Sequence, residues 1–122
     1  MPNWTVRLHD AFESEFEALA EAVQDELLAQ AQVIETFGPA AGRPRVDTLK
    51  GSKHANMKEL RFDADNGVWR AAFAFDPRRE AIILVAADKS GGSEKKFYKR
   101  LIKTADERFD QHLKALKENK EG

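Results

Sequence analysis

Three strand-like runs that follow one another closely constrain the fold of this chain more than any other feature. The runs are Met57–Asp63, Val68–Asp76 and Ala81–Ala87, and turn-forming residues separate them. Short connections of this kind predict three consecutive antiparallel strands. The last run contains AIILVAA, which is apolar on both faces and is typical of a central strand.

Helical and strand patterns flank this sheet. Trp4–His9 alternates as a strand does, and an apolar stripe at helical spacing from Phe12 to Ile34 predicts one long helix with Asp10 as its N-cap. Gly38-Pro39 ends that helix, and the segment Gly38 to His54 is expected to be an irregular connection. A second long helix, capped by Ser93, is expected to run to about Lys117.

These elements predict a single α+β domain over residues 1–122. We expect a small, twisted antiparallel sheet with long N-terminal and C-terminal helices packed on one face. The opposite face, where small residues surround arginines, is expected to be basic and concave.

Composition excludes several protein classes. No apolar run is long enough to cross a bilayer, and the N-terminal residues lack the apolar segment of a secretory signal. The chain has no cysteine, so it has neither disulfides nor a thiolate metal site. We therefore expect a cytoplasmic protein with no membrane contact, no metal and no cofactor.

The net charge of −1 conceals a strong asymmetry along the chain. Residues 1–42 contain one Lys or Arg against eight Asp or Glu, whereas residues 43–103 contain fifteen against eight. Such a domain can attract a polyanion on one side and repel it on the other. Two merely solvated surfaces would explain the same asymmetry.

Familiar catalytic signatures are missing from the sequence. The Ser90-Gly91-Gly92-Ser93 loop lacks the spacing and the lysine of a phosphate-binding loop. His9, His54 and His112 are too scattered to indicate a metal site, and no serine lies in a nucleophile-elbow sequence.

A cationic set remains, and it suits metal-free RNA cleavage. Attack of a 2′-hydroxyl on the adjacent phosphorus needs a proton acceptor, a proton donor and cations that stabilise the charge on phosphorus. His54 and Tyr98 are the candidates for proton transfer, and Arg61, Arg70 and Lys89 are the candidates for binding the reacting phosphate. Further candidate RNA-binding residues are Lys50, Lys53, Lys58, Lys95 and Lys96.

Each of these residues also has a purely structural interpretation. Arg61 could pair with Glu59 or with an acid across the strand, whereas Arg70 has no obvious acid partner near it in the sequence. Tyr98 could be half-buried packing, and His54 an ordinary surface imidazole. The residues alone therefore predict an α+β domain that faces nucleic acid, and they do not identify a reaction.

Several short motifs, in their order and spacing, resemble those of a known protein superfamily. They are Leu49-Lys50-Gly51, Glu59-Leu60-Arg61, Trp69-Arg70, Asp88-Lys89, Phe97-Tyr98 and Ala105-Asp106. Over roughly Val23 to Leu113 the chain is similar to the RelE/ParE toxins of bacterial type II toxin–antitoxin systems, especially the phage-derived, HigB-like branch. Arg61, Arg70 and Lys89 match recurrent basic positions of that superfamily, and Tyr98 matches an aromatic near its active face.

The resemblance implies a RelE-like fold and a metal-independent endoribonuclease, an mRNA interferase that cleaves translated messenger RNA on the ribosome and arrests growth. It also implies a cognate antitoxin as partner, often one with a helix-turn-helix domain. Two alternatives stay open: a gyrase-directed, ParE-like toxin without nuclease chemistry, and a non-toxic RNA-binding module on the same fold. The long final helix departs from the shorter members of the superfamily.

Overall fold

The computed structural model describes residues 3–121, which form one five-stranded sheet flanked by three α-helices. The elements in chain order are β1 (Thr5–Leu8), α1 (Asp10–Glu17), α2 (Glu21–Phe37), a 3-10 turn (Gly38–Ala40), β2 (Val46–Thr48), β3 (Met57–Ala64), β4 (Gly67–Phe75), β5 (Glu80–Asp88) and α3 (Glu94–Glu121). None of the helices in this range is both long enough and apolar enough to span a bilayer.

The sheet has the strand order β1-β5-β4-β3-β2. The predicted α+β class and the three consecutive antiparallel strands are confirmed, and β2 adds a further antiparallel neighbour to β3. The sheet is nevertheless mixed, because β1 pairs with β5 in parallel. β2 lies in the segment that we expected to be irregular, since a strand of three residues is too short to show alternation.

The helices cover both faces of the sheet, so the prediction that they share one face is wrong. α1 and α2 pack on the face that carries Leu60, Phe73 and Ile83. α3 packs on the opposite face, where Leu101, Ala105 and Phe109 contact the sheet residues Met57, Ala72, Ala74, Ile82 and Leu84. The apolar pattern of β5 requires this arrangement, because both of its faces must be removed from water.

The predicted N-terminal helix is two helices. α1 ends at Glu17, and the Gln24 side-chain amide donates to the carbonyl oxygens of Phe16 (2.8 Å) and Glu17 (3.2 Å) at that end. The N-cap of α1 is His9 instead of Asp10, because the His9 Nδ1 accepts a hydrogen bond from the Ala11 amide. The helical spacing of apolar residues continues across the break and therefore conceals it.

The start of α3 agrees with its predicted cap. The Ser93 hydroxyl oxygen accepts a hydrogen bond from the Lys96 amide at 3.3 Å. The helix then continues to Glu121, about one turn beyond the expected end. Its length lets a single rigid element contact both ends of the sheet.

Gly38 ends α2 at a point where no larger residue fits, and this generates a test of the fold. Its φ of 55° lies in the left-handed region, and an added Cβ would collide with the Trp4 indole. We expect Gly38→Ala to lower the free energy of unfolding by about 1–3 kcal/mol in urea denaturation, from backbone strain alone. Gly42→Ala is the matched control, because a Cβ there meets only the Ala40 carbonyl oxygen at 3.9 Å. Equal stability of the two variants would contradict this role for Gly38.

Candidate active site

Two arginines face each other across neighbouring strands on the side of the sheet that α3 covers. Arg61 of β3 and Arg70 of β4 are direct cross-strand partners. Like charges in this position repel each other and destabilise a strand pair. An anion is therefore needed between them.

Glu59 supplies that anion. It is only 3 % exposed and lies two residues before Arg61, so both side chains project from the same face of β3. Its Oε1 accepts a hydrogen bond from Arg61 Nε at 2.6 Å and lies 3.9 Å from Arg70 Nε. The phenol of Tyr98, on the first turns of α3, donates to the same oxygen at 3.3 Å. These contacts supply the hydrogen-bond donors and the opposite charge that a buried carboxylate needs.

A second carboxylate, on the edge strand β2, also contacts Arg61. Asp47 of β2 places its Oδ2 at 3.5 Å from Arg61 Nη2 and at 3.1 Å from Arg43 Nη2. The Thr48 backbone amide, together with the charges of Arg43 and Arg61, lowers the pKa of Asp47. The hydrogen bond to Glu59 raises the pKa of Arg61. Both groups are therefore charged at neutral pH.

These contacts leave hydrogen-bond donors unpaired on the guanidinium groups of both Arg61 and Arg70. Arg70 donates through Nε to the Tyr98 hydroxyl oxygen at 3.3 Å and through Nη1 to the Trp69 carbonyl oxygen at 2.9 Å. Within residues 3–121, Nη2 of Arg70 and Nη1 of Arg61 have no hydrogen-bond acceptor. Each arginine thus keeps a terminal nitrogen that can still donate a hydrogen bond.

The environment of Tyr98 makes it a proton donor and not a base. Burial raises the pKa of its phenol, and the Glu59 charge raises it further, while the hydrogen bond from Arg70 acts in the opposite direction. The phenol consequently stays protonated at neutral pH. A general base would need a lowered pKa.

Lys89, at the end of β5, completes the cationic group. Its Nζ lies 2.9 Å from Glu94 Oε1 and 6.0 Å from the centre of the Tyr98 ring. The hydrogen bond from Lys89 lowers the pKa of Glu94, which is therefore ionised. Unlike Glu59, the Glu94 side chain is 68 % exposed.

An open groove of about 440 Å³ runs over this cluster. Its lining includes Arg43, Asp47, Lys50, Arg61, Glu94 and Tyr98. We call the set Asp47, Glu59, Arg61, Arg70, Lys89, Glu94 and Tyr98 the arginine cluster. Four of the five residues predicted for catalysis thus lie together, and Lys50 lies beside them.

His54 is not part of the arginine cluster. Its Nε2 lies 2.8 Å from Asp110 Oδ1, and its ring packs edge-on against Phe109. Asp110 follows Tyr98 by twelve residues, which is about 18 Å along a helix. Lys53 forms an ion pair with the same Asp110 and lies near His54.

The other candidate RNA-binding lysines are spread over the surface. Lys58 alternates with Glu59 and Met57 and therefore projects from the face that α2 covers, opposite the arginine cluster. Lys95 and Lys96 are exposed in the first turn of α3. The structure does not bring these lysines into the groove.

Two expectations about the arginines have clear outcomes. The interpretation of Arg61 as a partner of Glu59 is confirmed at 2.6 Å. Arg70, which has no obvious acid partner near it in the sequence, has one across the strand, because Glu59 Oε1 lies 3.9 Å from its Nε; the Arg70 side chain is only 12 % exposed. The sequence pattern indicated Glu59 only as a partner of Arg61, and it gave no indication of Asp47 or Glu94. The signal for Glu59 is the strand face that it shares with Arg61.

Within the described range, 3–121, no group of three or more His, Asp or Glu side chains is arranged to hold a metal ion. The arginine cluster instead offers fixed guanidinium and ammonium cations beside a protonated phenol. Such an arrangement can bind an anion and donate a proton to it.

Comparisons with known sequences give consistent matches. The model of a family described as phage-derived, Gp49-like proteins (DUF891) matches residues 14–110. HigB2 of Mycobacterium tuberculosis, which is named as a toxin, is 45% identical over 95 residues, or 77% of this chain and 47% of HigB2. HigB3 of the same organism, also named as a toxin, is 44% identical over 81 residues, or 66% of this chain and 68% of HigB3. The chain thus spans about half the length of HigB2 and about two thirds of HigB3.

Solved structures show the same fold. A free mutant of the Escherichia coli toxin RelE superimposes with a TM-score of 0.56 at 9% identity and covers 82% of this chain and 94% of its own. The archaeal RelE–RelB complex from Pyrococcus horikoshii gives a TM-score of 0.50 at 20% identity over 75% of this chain and 100% of its own. At these identities the likeness concerns the fold alone.

Tyr98 provides a direct test of the electrostatics, because it is the only tyrosine in the sequence. In the folded protein the phenolate absorbance should appear at a higher pH than the ordinary tyrosine pKa of about 10. Since folding disfavours tyrosinate, its contribution to stability is complete below the ordinary pKa and is lost as the pH rises through the folded pKa. Titration in concentrated urea is the control, and circular dichroism verifies that the first sample stays folded. Coincident midpoints in the two samples would contradict the buried, acid-facing position of Tyr98.

Proposed function

The chain belongs to the phage-derived, Gp49-like protein family, and from this we propose that it is the toxin of a toxin–antitoxin system that cleaves messenger RNA on the translating ribosome. Two relatives that are 44–45% identical are named as toxins, and the fold is that of RelE. The observation that carries the proposal is the arginine cluster. Two arginines, a lysine and a protonated tyrosine lie together in this cluster, and Arg61, Glu94 and Tyr98 line an open groove.

The proposed reaction is transphosphorylation within the RNA backbone. The 2′-oxygen attacks the adjacent phosphorus while the bond to the 5′-oxygen breaks, which leaves a 2′,3′-cyclic phosphate and a 5′-hydroxyl. Negative charge grows on the non-bridging oxygens during this step. The free terminal nitrogens of Arg61 and Arg70 can donate to those oxygens, so the cluster can stabilise the charge without a metal ion.

Proton transfer is assigned to Tyr98 and Glu94. Tyr98 is protonated at neutral pH and donates to the departing 5′-oxygen. Glu94 is the most exposed carboxylate of the groove, and a phosphate that binds Lys89 would replace it there. The freed carboxylate then accepts the proton of the 2′-hydroxyl. His54 has no part in this proposal, because it pairs with Asp110, which follows Tyr98 by twelve residues along α3.

The proposed partner is a cognate antitoxin. RelE is found in complex with RelB in the Pyrococcus horikoshii structure, and the superfamily resemblance extends that expectation to a co-encoded protein with a helix-turn-helix domain. A toxin that acts on translating ribosomes would work in the cytoplasm. Messenger RNA and the ribosome are thus its other partners.

One observation favours a second candidate function. Arg61, Arg70 and Lys89 each face a carboxylate, so the positive charge of the cluster is largely neutralised within the protein. In a gyrase-directed toxin or an RNA-binding module, the arginine cluster would only bind a partner and would transfer no proton. Induction in bacteria distinguishes these functions: cut messenger RNA indicates the nuclease, altered DNA supercoiling the gyrase inhibitor, and normal growth the binding module.

Arg61 is the cleanest single test of the nuclease. Its side chain is 38 % exposed, and Arg70 and Tyr98 still contact Glu59 when it is removed. We therefore expect Arg61→Ala to remain folded and to lower the rate of messenger RNA cleavage by about 100-fold in a translating extract. The matched control is Arg45→Ala, which removes an exposed arginine just before β2 and should leave the rate unchanged. A folded Arg61→Ala protein that cleaves at the normal rate would exclude Arg61 from the site.

A further inference from the structure

The edge of β5 is open along its second half. β1 pairs only with Glu80–Ile83, and after the His9 amide donates to the Ile83 carbonyl oxygen the chain turns away into α1. In the described part of the chain, β4 pairs with one side of β5 over this stretch, and no strand pairs with the other side, the side of β1, from Leu84 to Asp88. An open sheet edge can pair with a strand of another chain.

Arg108 of α3 covers the open edge of β5 at Leu84. Its Nη1 donates to the Leu84 carbonyl oxygen at 2.8 Å and to Glu15 Oε1 at 2.9 Å. The contact joins α3, α1 and β5 at the point where β1 stops. The open part of the edge is thereby confined to residues 85–88.

An apolar groove of about 500 Å³ lies between that edge and the first half of α3. Val85 and Ala87 of β5 and Phe97 and Leu101 of α3 form its apolar lining. Alternate side chains of an added strand would point into this groove, because strand side chains alternate between faces. The site can thus bind both the backbone and the apolar side chains of an extended segment.

The charges at the groove select an acidic occupant. Lys96 and Arg100 lie on its rim and are exposed. Within residues 3–121 neither forms an ion pair, whereas Arg61, Arg70 and Lys89 are all paired. The Asp88 carboxylate also lines the groove, where it accepts hydrogen bonds from the Val68 and Ser90 amides and forms no ion pair with Lys96 or Arg100.

We propose that the β5 edge from Val85 to Asp88, together with this groove, binds an extended acidic segment of the antitoxin as an additional strand. Apolar side chains of the segment fill the groove, and its carboxylates meet Lys96 and Arg100. The proposal rests on the proposed toxin function. RNA is the less suitable occupant, because it can use the two cations but not the open backbone edge or the apolar lining.

Binding at this groove would also reach the arginine cluster. Gly91, Gly92 and Ser93 line the groove and connect Lys89 to Glu94. A segment that holds this loop in place keeps the Lys89–Glu94 ion pair closed. The proposed proton acceptor then stays paired, which gives the antitoxin a way to stop cleavage from outside the catalytic groove.

The test uses the full chain and the protein encoded by the adjacent reading frame. We expect Lys96→Glu combined with Arg100→Glu to weaken their complex by about tenfold or more. The control reverses Lys114 and Lys117, two exposed lysines on the second half of the same helix, and should change the dissociation constant by less than about twofold. Circular dichroism verifies that both double variants are folded.

Amide hydrogen exchange of the unmodified complex tests strand addition itself. Alternate amides within residues 85–88 should exchange about tenfold more slowly when the antitoxin is bound. Unchanged exchange at these amides, or unchanged affinity of the Lys96/Arg100 variant, would overturn the proposal. A variant that binds antitoxin normally but loses RNA binding would assign the groove to RNA and overturn it equally.

The toxin function and the docking surface can be tested separately. If the neighbouring protein neither binds nor silences the unmodified chain, the toxin function proposed above fails and this inference fails with it. If the neighbouring protein silences the unmodified chain and equally the Lys96/Arg100 variant, only the assignment of the docking surface fails.

Discussion

The buried carboxylate of Glu59 is the interaction on which the candidate active site depends, because it permits two arginines to face each other across neighbouring strands. Arg61 and Arg70 are cross-strand partners, and without an anion between them their charges would separate the strands. Glu59 contacts both and also accepts the hydrogen bond of Tyr98. One buried oxygen thus fixes residues from β3, β4 and α3. Six of the seven residues of the arginine cluster consequently lie on strands or on α3, and Lys89 follows directly after β5.

Contacts far from the candidate active site also hold α3 in position. Along its second half, Phe109 lies in the core, and the His112 Nε2 is 2.7 Å from the fully buried side chain of Asp76 at the end of β4. Midway, the Ser52 hydroxyl donates to Asp106 at 2.5 Å and holds the loop that follows Lys50. These contacts orient the helix that carries Tyr98. A change at the far end of α3 can therefore disturb the groove without touching it.

Much of the fold could be read from the sequence, because local patterns determine it. The three central strands begin and end within one residue of their predicted bounds, since turn residues and alternation mark them directly. The break between α1 and α2 and the parallel pairing of β1 left no such local signal. The division of the helices between two faces was indicated only indirectly, by the apolar pattern of β5.

The candidate site was less predictable, because its decisive contacts join distant residues. Arg61, Arg70, Lys89 and Tyr98 were identified from their residue types and strand positions. The pairing of Glu59 with Arg70 depends on strand register, and that of Lys89 with Glu94 on the loop between β5 and α3. The location of His54 depends on where α3 crosses the sheet. Of these contacts, only the Lys89–Glu94 pair joins residues that are close in sequence, and it too depends on the path of the loop between them.

Glu59→Gln tests the central role of the buried carboxylate most directly, because it keeps the size of the side chain and removes its charge. The measurement is the rate of messenger RNA cleavage by the folded variant in a translating extract, with Glu107→Gln, an exposed position on α3, as control. We predict a loss of about tenfold or more for Glu59→Gln, because the arginines and Tyr98 lose their common anchor. RNA binding should not weaken, since a competing negative charge has been removed. Cleavage by folded Glu59→Gln at the unmodified rate would contradict this account.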